Sequence, residues 1–190
     1  QPVEHLAALR VIPNLIVFRP ADVVETAECW EIALTSKTRP SVLALTRQGL
    51  PTLRTEHTDA NLSARGAYVL KEAEGKTKVT FIATGSEVEV ALAAKALLDK
   101  AGTPTRVVSV PSMELFERQG KAYREKLLGT EKIRIAVEAG VRQGWDRFIG
   151  PAGKFVGMTG FGASAPAETL YEKFGITAKA VLSELKEVLK

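Results

Sequence analysis

Ser41-Val42-Leu43-Ala44-Leu45-Thr46-Arg47-Gln48-Gly49-Leu50-Pro51 joins an apolar run to an arginine and then to a turn. Ser41 to Leu45 is nearly continuous in apolar side chains, with Arg39-Pro40 before it and Gly49 and Pro51 behind. That pattern predicts a short strand buried on both faces of a parallel sheet. Open α/β sheets hold their ligands beyond the carboxyl ends of the strands, where Arg47 falls. Its planar guanidinium can grip a carboxylate or phosphate through two parallel hydrogen bonds. A second reading has Arg47 paired with a neighbouring acid to fix the loop.

The elements before this strand extend the pattern. Pro2 to Val11 reads as a helix with Val3, Leu6 and Leu9 on one face, and Leu15 to Phe18 as a buried strand stopped by Pro20. Asp22 is a good N-cap for a helix to about Ser36, with Val23, Ala27, Trp30 and Leu34 facing inward. Helix, strand, helix, strand is the tail of a parallel array. Two strands make no stable sheet alone, so residues 1–60 read as the end of a domain that begins outside this chain.

Polar residues 52–65, TLRTEHTDANLSAR, carry no apolar period and read as a connection, with the linker proper at 61–65. A second α/β unit occupies 66–190. It opens on an edge strand, Gly66 to Lys71, followed by a buried strand, Val79 to Ala83. Ser86 and Glu89 then form a capping box for a helix to about Lys100. Further strands are predicted at Thr105–Val110, Ile133–Val137 and Lys154–Met158. Two short helices are predicted within Met113–Leu128, and a helical turn at Trp145–Ile149. Ala167–Phe174 and Ala178–Leu189 read as closing helices, the latter with Ala178, Val181, Leu182, Leu185, Val188 and Leu189 on one stripe. The fold class is therefore α/β: the tail of a parallel-sheet domain, then a three-layer α/β/α domain with a mostly parallel sheet.

Composition narrows the function. The chain has 190 residues, 45% of them hydrophobic and 25% charged, as in an ordinary soluble domain. No run reaches the ~18 apolar residues of a membrane span, and QPVEHLAALR lacks the basic-then-apolar build of a signal peptide. One cysteine, Cys29, precludes an internal disulfide and suits a reducing, cytoplasmic setting. Two histidines and one cysteine argue against a self-contained zinc site. The net charge of +4 comes from residues 66–190, where nineteen Lys and Arg are interspersed with fifteen Asp and Glu. No basic block stands out, so nucleic acid is not an expected partner.

Few residues suggest chemistry. Thr84-Gly85-Ser86-Glu87 ends a strand and opens a helix, which suits either a bound anion or a plain cap and turn. Glu138 ends another strand and is either catalytic or, as preferred, paired with an arginine across an interface. His57 reads as solvated, and His5 has no visible acid–base partner. Val156 to Gly162 is glycine-rich without the spacing of a nucleotide fingerprint, and reads as a tightly packed loop. Chemistry alone thus offers one ligand arginine and no nucleophile–base pair.

Motifs along the whole chain are similar to those of the transketolase family. They include Gln1-Pro2-Val3-Glu4, Arg19-Pro20-Ala21-Asp22, Leu45-Thr46-Arg47-Gln48 and Gly66-Ala67-Tyr68-Val69-Leu70. Ala83-Thr84-Gly85-Ser86-Glu87-Val88, Arg106 to Pro111 and Phe161 to Ala167 follow in the family's order and spacing. The resemblance implies that residues 1–60 end the pyrimidine-binding domain and that residues 66–190 form the C-terminal domain. It implies thiamine diphosphate and a divalent metal, magnesium or calcium, in the intact homodimeric enzyme, with none expected on this chain alone. It implies ketol transfer between sugar phosphates in the pentose phosphate pathway, with Arg47 on the sugar's phosphate.

By the same resemblance the substrate-contacting histidine stands one position before Gln1, and no catalytic or metal-binding residue falls within the chain. This portion is then expected to be inactive by itself. Other readings are a dihydroxyacetone synthase, a 1-deoxyxylulose-5-phosphate synthase, or a non-catalytic α/β module for assembly or anion binding. Thr46-Arg47-Gln48 fits the transketolase pattern better than the deoxyxylulose one.

Overall fold

The computed structural model describes residues 1–130 and 133–188. The N-terminal part contains α1 (His5–Arg10), β1 (Ile16–Phe18), α2 (Val23–Thr35) and β2 (Ser41–Leu43). β1 and β2 pair in parallel, with Phe18 opposite Leu43. β2 stops two residues earlier than the apolar run, and its side chains are only partly buried. The expected burial on both faces is therefore not found. Within the chain β2 has one neighbouring strand, β1, so its other edge and part of its faces lack cover.

The rest of the chain contains β3 (Tyr68–Lys71), β4 (Val79–Ala83), α3 (Glu87–Lys100), β5 (Thr105–Ser109), α4 (Met113–Glu117) and α5 (Lys121–Leu128). β6 (Ile133–Val137), α6 (Asp146–Ile149), β7 (Lys154–Val156), α7 (Ala167–Phe174) and α8 (Ala178–Val188) complete it. Five strands lie in the order β3-β5-β4-β6-β7, and only the β3–β5 edge pair is antiparallel.

Strand alternation sends side chains to two cores. Val79, Phe81, Ala83, Val107, Ile135 and Val137 face α3 and α8, where Val88, Ala91, Val181 and Leu185 meet them. Ile82, Val108 and Ala136 face the opposite layer with Phe116, Leu127, Trp145 and Phe148. The expected three-layer unit is the one observed. Val188 side-chain packing and Leu189, both placed on the α8 stripe by sequence, lie outside the described residues. Among the described residues no helix is long and apolar enough to cross a membrane.

Two local expectations are overturned. The α2 stripe of Val23, Ala27, Trp30 and Leu34 faces outward, with Val23 at 65% and Leu34 at 77% exposure. The helix docks instead through Glu25, Cys29 and the partly buried Ile32, because donors on the larger domain satisfy its carboxylates. The capping box at Ser86 and Glu89 does not form: the Ser86 hydroxyl donates to Glu87 at 2.8 Å, and Glu89 is exposed.

The connection is less free than its composition predicts. Asp22 caps α2 at the Glu25 N–H (2.8 Å), and its other oxygen accepts from the Leu53 and Arg54 N–H groups, both at 3.0 Å. Glu28 takes the Arg54 guanidinium, the Leu62 and Ser63 N–H groups and the Ser63 hydroxyl. Leu62–Arg65 forms a 3₁₀ turn capped by the Asn61 side chain. Residues 55–60 remain exposed throughout. Mild proteolysis is expected to cut first within 55–60, leaving the tethered Leu53, Arg54 and Ser63 intact. The two pieces should then co-elute on a sizing column; separate elution would show that little beyond the connection joins them.

Candidate functional site

Three strand ends from two sheets converge. Arg19 follows β1, Thr84 to Glu87 follow β4, and Glu138 follows β6. The Arg19 main chain is fixed first. Its N–H donates to the Pro111 carbonyl (2.8 Å), and its carbonyl accepts from the Gly85 N–H (2.9 Å) and the Thr84 hydroxyl (3.1 Å). Gly85 turns with φ +59°, and a Cβ there would come within 2.9 Å of the Arg19 side chain. Glycine is needed both for the turn and for the close approach.

The Arg19 guanidinium donates to the Thr84 carbonyl at 3.0 Å and to the Glu87 carboxylate, with Glu138 at 3.7 Å. Arg10, in the last turn of α1, grips Glu138 through two hydrogen bonds of 2.9 and 2.7 Å. The Trp145 indole N–H also donates to Glu138, at 2.7 Å. Glu87 accepts from the Tyr171 hydroxyl (2.6 Å), the Ser86 hydroxyl and the Ala139 N–H (2.9 Å). Two arginines and two glutamates thus balance in a buried quartet. Burial alone would raise the Glu87 carboxyl, but Arg19 and the other donors outweigh it and hold it below its ordinary value.

The quartet bears on two of the sequence expectations. Glu138 pairs with arginine, as preferred. At Thr84–Glu87 the chain's own Glu87 carboxylate meets Arg19, and Ser86 and Glu87 also line the cleft beside Arg47. Sequence reasoning missed Arg10 and Arg19, although Arg19 stands directly beyond the buried strand β1.

Glu25 is a further buried acid. It accepts from the Ala21 N–H (2.6 Å), the Tyr68 hydroxyl (2.8 Å) and the Ser109 hydroxyl (2.5 Å), and burial pushes its carboxyl upward. These bonds tie α2 to β3 and β5.

Arg47 is different. It is exposed and has no carboxylate partner among the described residues. It lines a cleft of about 300 Å³ between the two parts of the chain, together with Gln1, Val3, Gln48, Ser164 and Tyr171. Among the described residues no backbone–backbone hydrogen bond ties its loop from Leu45 to Thr52, and the Thr46 hydroxyl donates within it, to the Gln48 carbonyl (3.2 Å). The two histidines lie elsewhere: His5 is exposed, and His57 meets only the exposed Asp59.

Comparison with known proteins follows this division of the chain. A family profile described as "Transketolase-like TK C-terminal domain" matches residues 66–177, and one for the transketolase pyrimidine binding domain matches residues 1–52. The chain belongs to the transketolase family. The transketolase of Rhodobacter capsulatus is 58% identical over the whole chain, which spans 29% of that relative's length. The solved Pichia stipitis transketolase in complex with sedoheptulose 7-phosphate superposes with a TM-score of 0.89 at 34% identity, over 100% of this chain and 27% of that one. A split-gene transketolase, described as an inactive β4 tetramer, gives 0.85 at 26% identity, over 100% of this chain and 62% of that one.

Transketolases imply thiamine diphosphate and a divalent metal in the intact enzyme. The residues of this chain do not fit that group. Among the described residues no three His, Cys, Asp or Glu side chains are placed to hold a metal ion. The glycine-rich stretch 156–162 offers no cradle at Gly157, where a Cβ would run into the Phe155 ring and the Glu138 carbonyl.

Breaking a buried ion pair from one side strands the other charge. Glu87→Gln is expected to lower unfolding stability by roughly 3 kcal/mol, measured by urea denaturation at neutral pH. Because the folded carboxyl lies below its ordinary value of 4.5, ionised Glu87 stabilises the fold above that pH. The contribution is lost as pH falls through the lower folded value. The gap between parent and variant should therefore narrow on acidification below 4.5; a gap that persists there would exclude this linkage.

Proposed function

We infer that this chain is part of a transketolase that moves a two-carbon ketol unit from a ketose phosphate to an aldose phosphate. We also assign Arg47 to the phosphate of the sugar. The observation that carries the assignment is an exposed guanidinium without an acid partner, beyond a parallel strand and at the mouth of a cleft. A relative that superposes over this whole chain binds a phosphorylated ketose, sedoheptulose 7-phosphate. In that setting Arg47 contributes two parallel charge-assisted hydrogen bonds at the far end of the substrate. Fixing the phosphate there aligns the reacting carbon.

Residues 1–60 are read as the end of the pyrimidine-binding domain, 61–65 as the linker and 66–190 as the C-terminal domain. The intact enzyme is read as a cytoplasmic homodimer that uses thiamine diphosphate with magnesium or calcium, held by residues outside this chain. Alone, the chain is expected to be inactive in ketol transfer. That expectation is in keeping with the split-gene neighbour described as an inactive tetramer. The outward Val23, Trp30 and Leu34 on α2 suit burial against further protein in the parent.

The test is made in the full-length parent. Charge-assisted bonds of about 1.5–3 kcal/mol mean that Arg47→Ala should lower kcat/KM for an aldose phosphate roughly ten- to a hundredfold. The loss for glycolaldehyde, which has no phosphate, should be much smaller. Arg47→Lys should recover only part of the difference, since a point charge cannot reproduce the fork. Equal losses for both acceptors would assign Arg47 to holding its loop.

A further inference from the structure

The cleft beside Arg47 is not built by the N-terminal part alone. Its opposite wall is the loop between β7 and α7, with Gly162, Ala163 and Ser164, backed by Tyr171. That loop reaches across the seam: the Gly162 N–H donates to the Gln1 carbonyl at 2.7 Å. A Cβ on Gly162 would lie 3.3 Å from the Gln1 Cβ and 3.4 Å from a Val3 methyl. Gln1 and Val3 both line the cleft. At its other end the same N-terminal segment is held by the two Arg10–Glu138 hydrogen bonds. Residues 1–10 are therefore strapped onto the larger domain at both ends, with the cleft opening beside the strap.

We propose that Gly162 is a positioning residue for the phosphorylated end of the sugar, acting through Gln1 and Val3 to set the width of the cleft opposite Arg47. It gives the 66–190 domain a part in selecting phosphorylated substrates without touching them. The inference rests on the assignment of Arg47 to phosphate. Glycine suits the position because its missing side chain lets the two segments close to contact distance, while its N–H, as any residue but proline would supply, anchors the Gln1 carbonyl. A displacement of a few tenths of an ångström in the wall changes how well a phosphate seated on Arg47 reaches the reacting centre, while a small unphosphorylated aldehyde is less affected.

The experiment measures, in the full-length holoenzyme, the ratio of kcat/KM for an aldose phosphate to that for glycolaldehyde. In ping-pong kinetics each acceptor's kcat/KM reports its own half-reaction. Gly162→Ala is expected to lower the ratio by about fivefold with little change in melting temperature. Val3→Ala, which removes the methyl on the other side of the contact, should lower it in the same direction and serves if the glycine variant folds poorly. Gly160→Ala, in the same loop but with open space around the added Cβ, should leave the ratio as in the parent.

An unchanged ratio in both Gly162→Ala and Val3→Ala overturns the proposal. So does an equal drop in Gly160→Ala, which would assign the effect to loop stiffness. Arg47→Ala keeps the two readings apart. If it lowers the ratio and the wall variants do not, only the positioning role of Gly162 fails; if it leaves the ratio unchanged, the phosphate assignment fails and this inference with it.

Discussion

Charge neutralisation inside the seam is the constraint on which the arrangement depends. Arg10 and Arg19 come from one part of the chain, Glu87 and Glu138 from the other, and all four are buried. Removing such groups from water costs several kcal/mol per ion, so neither part can present its half to a dry surface alone. Only the docked arrangement pairs them, and the bidentate Arg10–Glu138 geometry admits one relative placement. The quartet is better regarded as a source of specificity than of stability, because buried ion pairs barely recover their desolvation. Its location also explains why Glu87 is engaged by Arg19, although Ser86 and Glu87 still line the cleft beside Arg47. At the carboxyl edge of its sheet, where a parallel fold ordinarily binds a ligand, Arg10 and Arg19 from the preceding segment meet Glu138 and Glu87.

The same logic extends along the seam. Two strands alone would leave β1 with an open edge, a liability in any isolated sheet. Here the outward-pointing N–H groups of Val17 and Arg19 donate to Glu114 (3.2 Å) and to the Pro111 carbonyl. Leu115, on the same short helix α4, packs against Ile16 and Phe18. The larger domain thus stands where a third strand would lie. On α2 the carboxylates Asp22, Glu25 and Glu28, spaced three apart, do the equivalent for the connection and for β3 and β5.

What the sequence made legible follows from this. Element types and order in 66–190 could be read because strand and helix periods there match a core made by neighbouring elements: Val79 to Ala83 and Ile133 to Val137 are buried by α3, α8 and the opposite layer. Asp22 was legible as a cap and Glu138 as a partner for arginine. The orientation of α2 was not. Periodicity identified its apolar stripe, but burial followed the stripe of acids, whose donors lie some thirty to eighty residues away. Ser86 failed as a capping box for a related reason. Its hydroxyl is drawn to Glu87, whose charge is fixed by an arginine on a distant segment. Long-range donors are invisible to local pattern, and the misreadings of α2 and Ser86 both involve one; that of β2 comes instead from the cover its sheet lacks.

Arg47 stands apart from this accounting by what it lacks. Arg10, Arg19 and Arg54 each meet a carboxylate close at hand, and their positive charge is spent within the chain. Arg47 sits on a loop tied at Ala44 and again at Leu53, with no backbone bond between. Among the described residues its guanidinium has no carboxylate partner. The chain therefore fixes the two ends of the loop firmly and leaves its cation facing a cleft whose other wall belongs to a different domain. A charge kept solvated beside a preformed concavity gives up little to bind a hydrated anion such as a phosphate, whereas the seam arginines would have to abandon buried partners to do so. That difference in desolvation, more than any motif, is the physical ground for proposing Arg47, and not the seam arginines, as the one that meets a ligand.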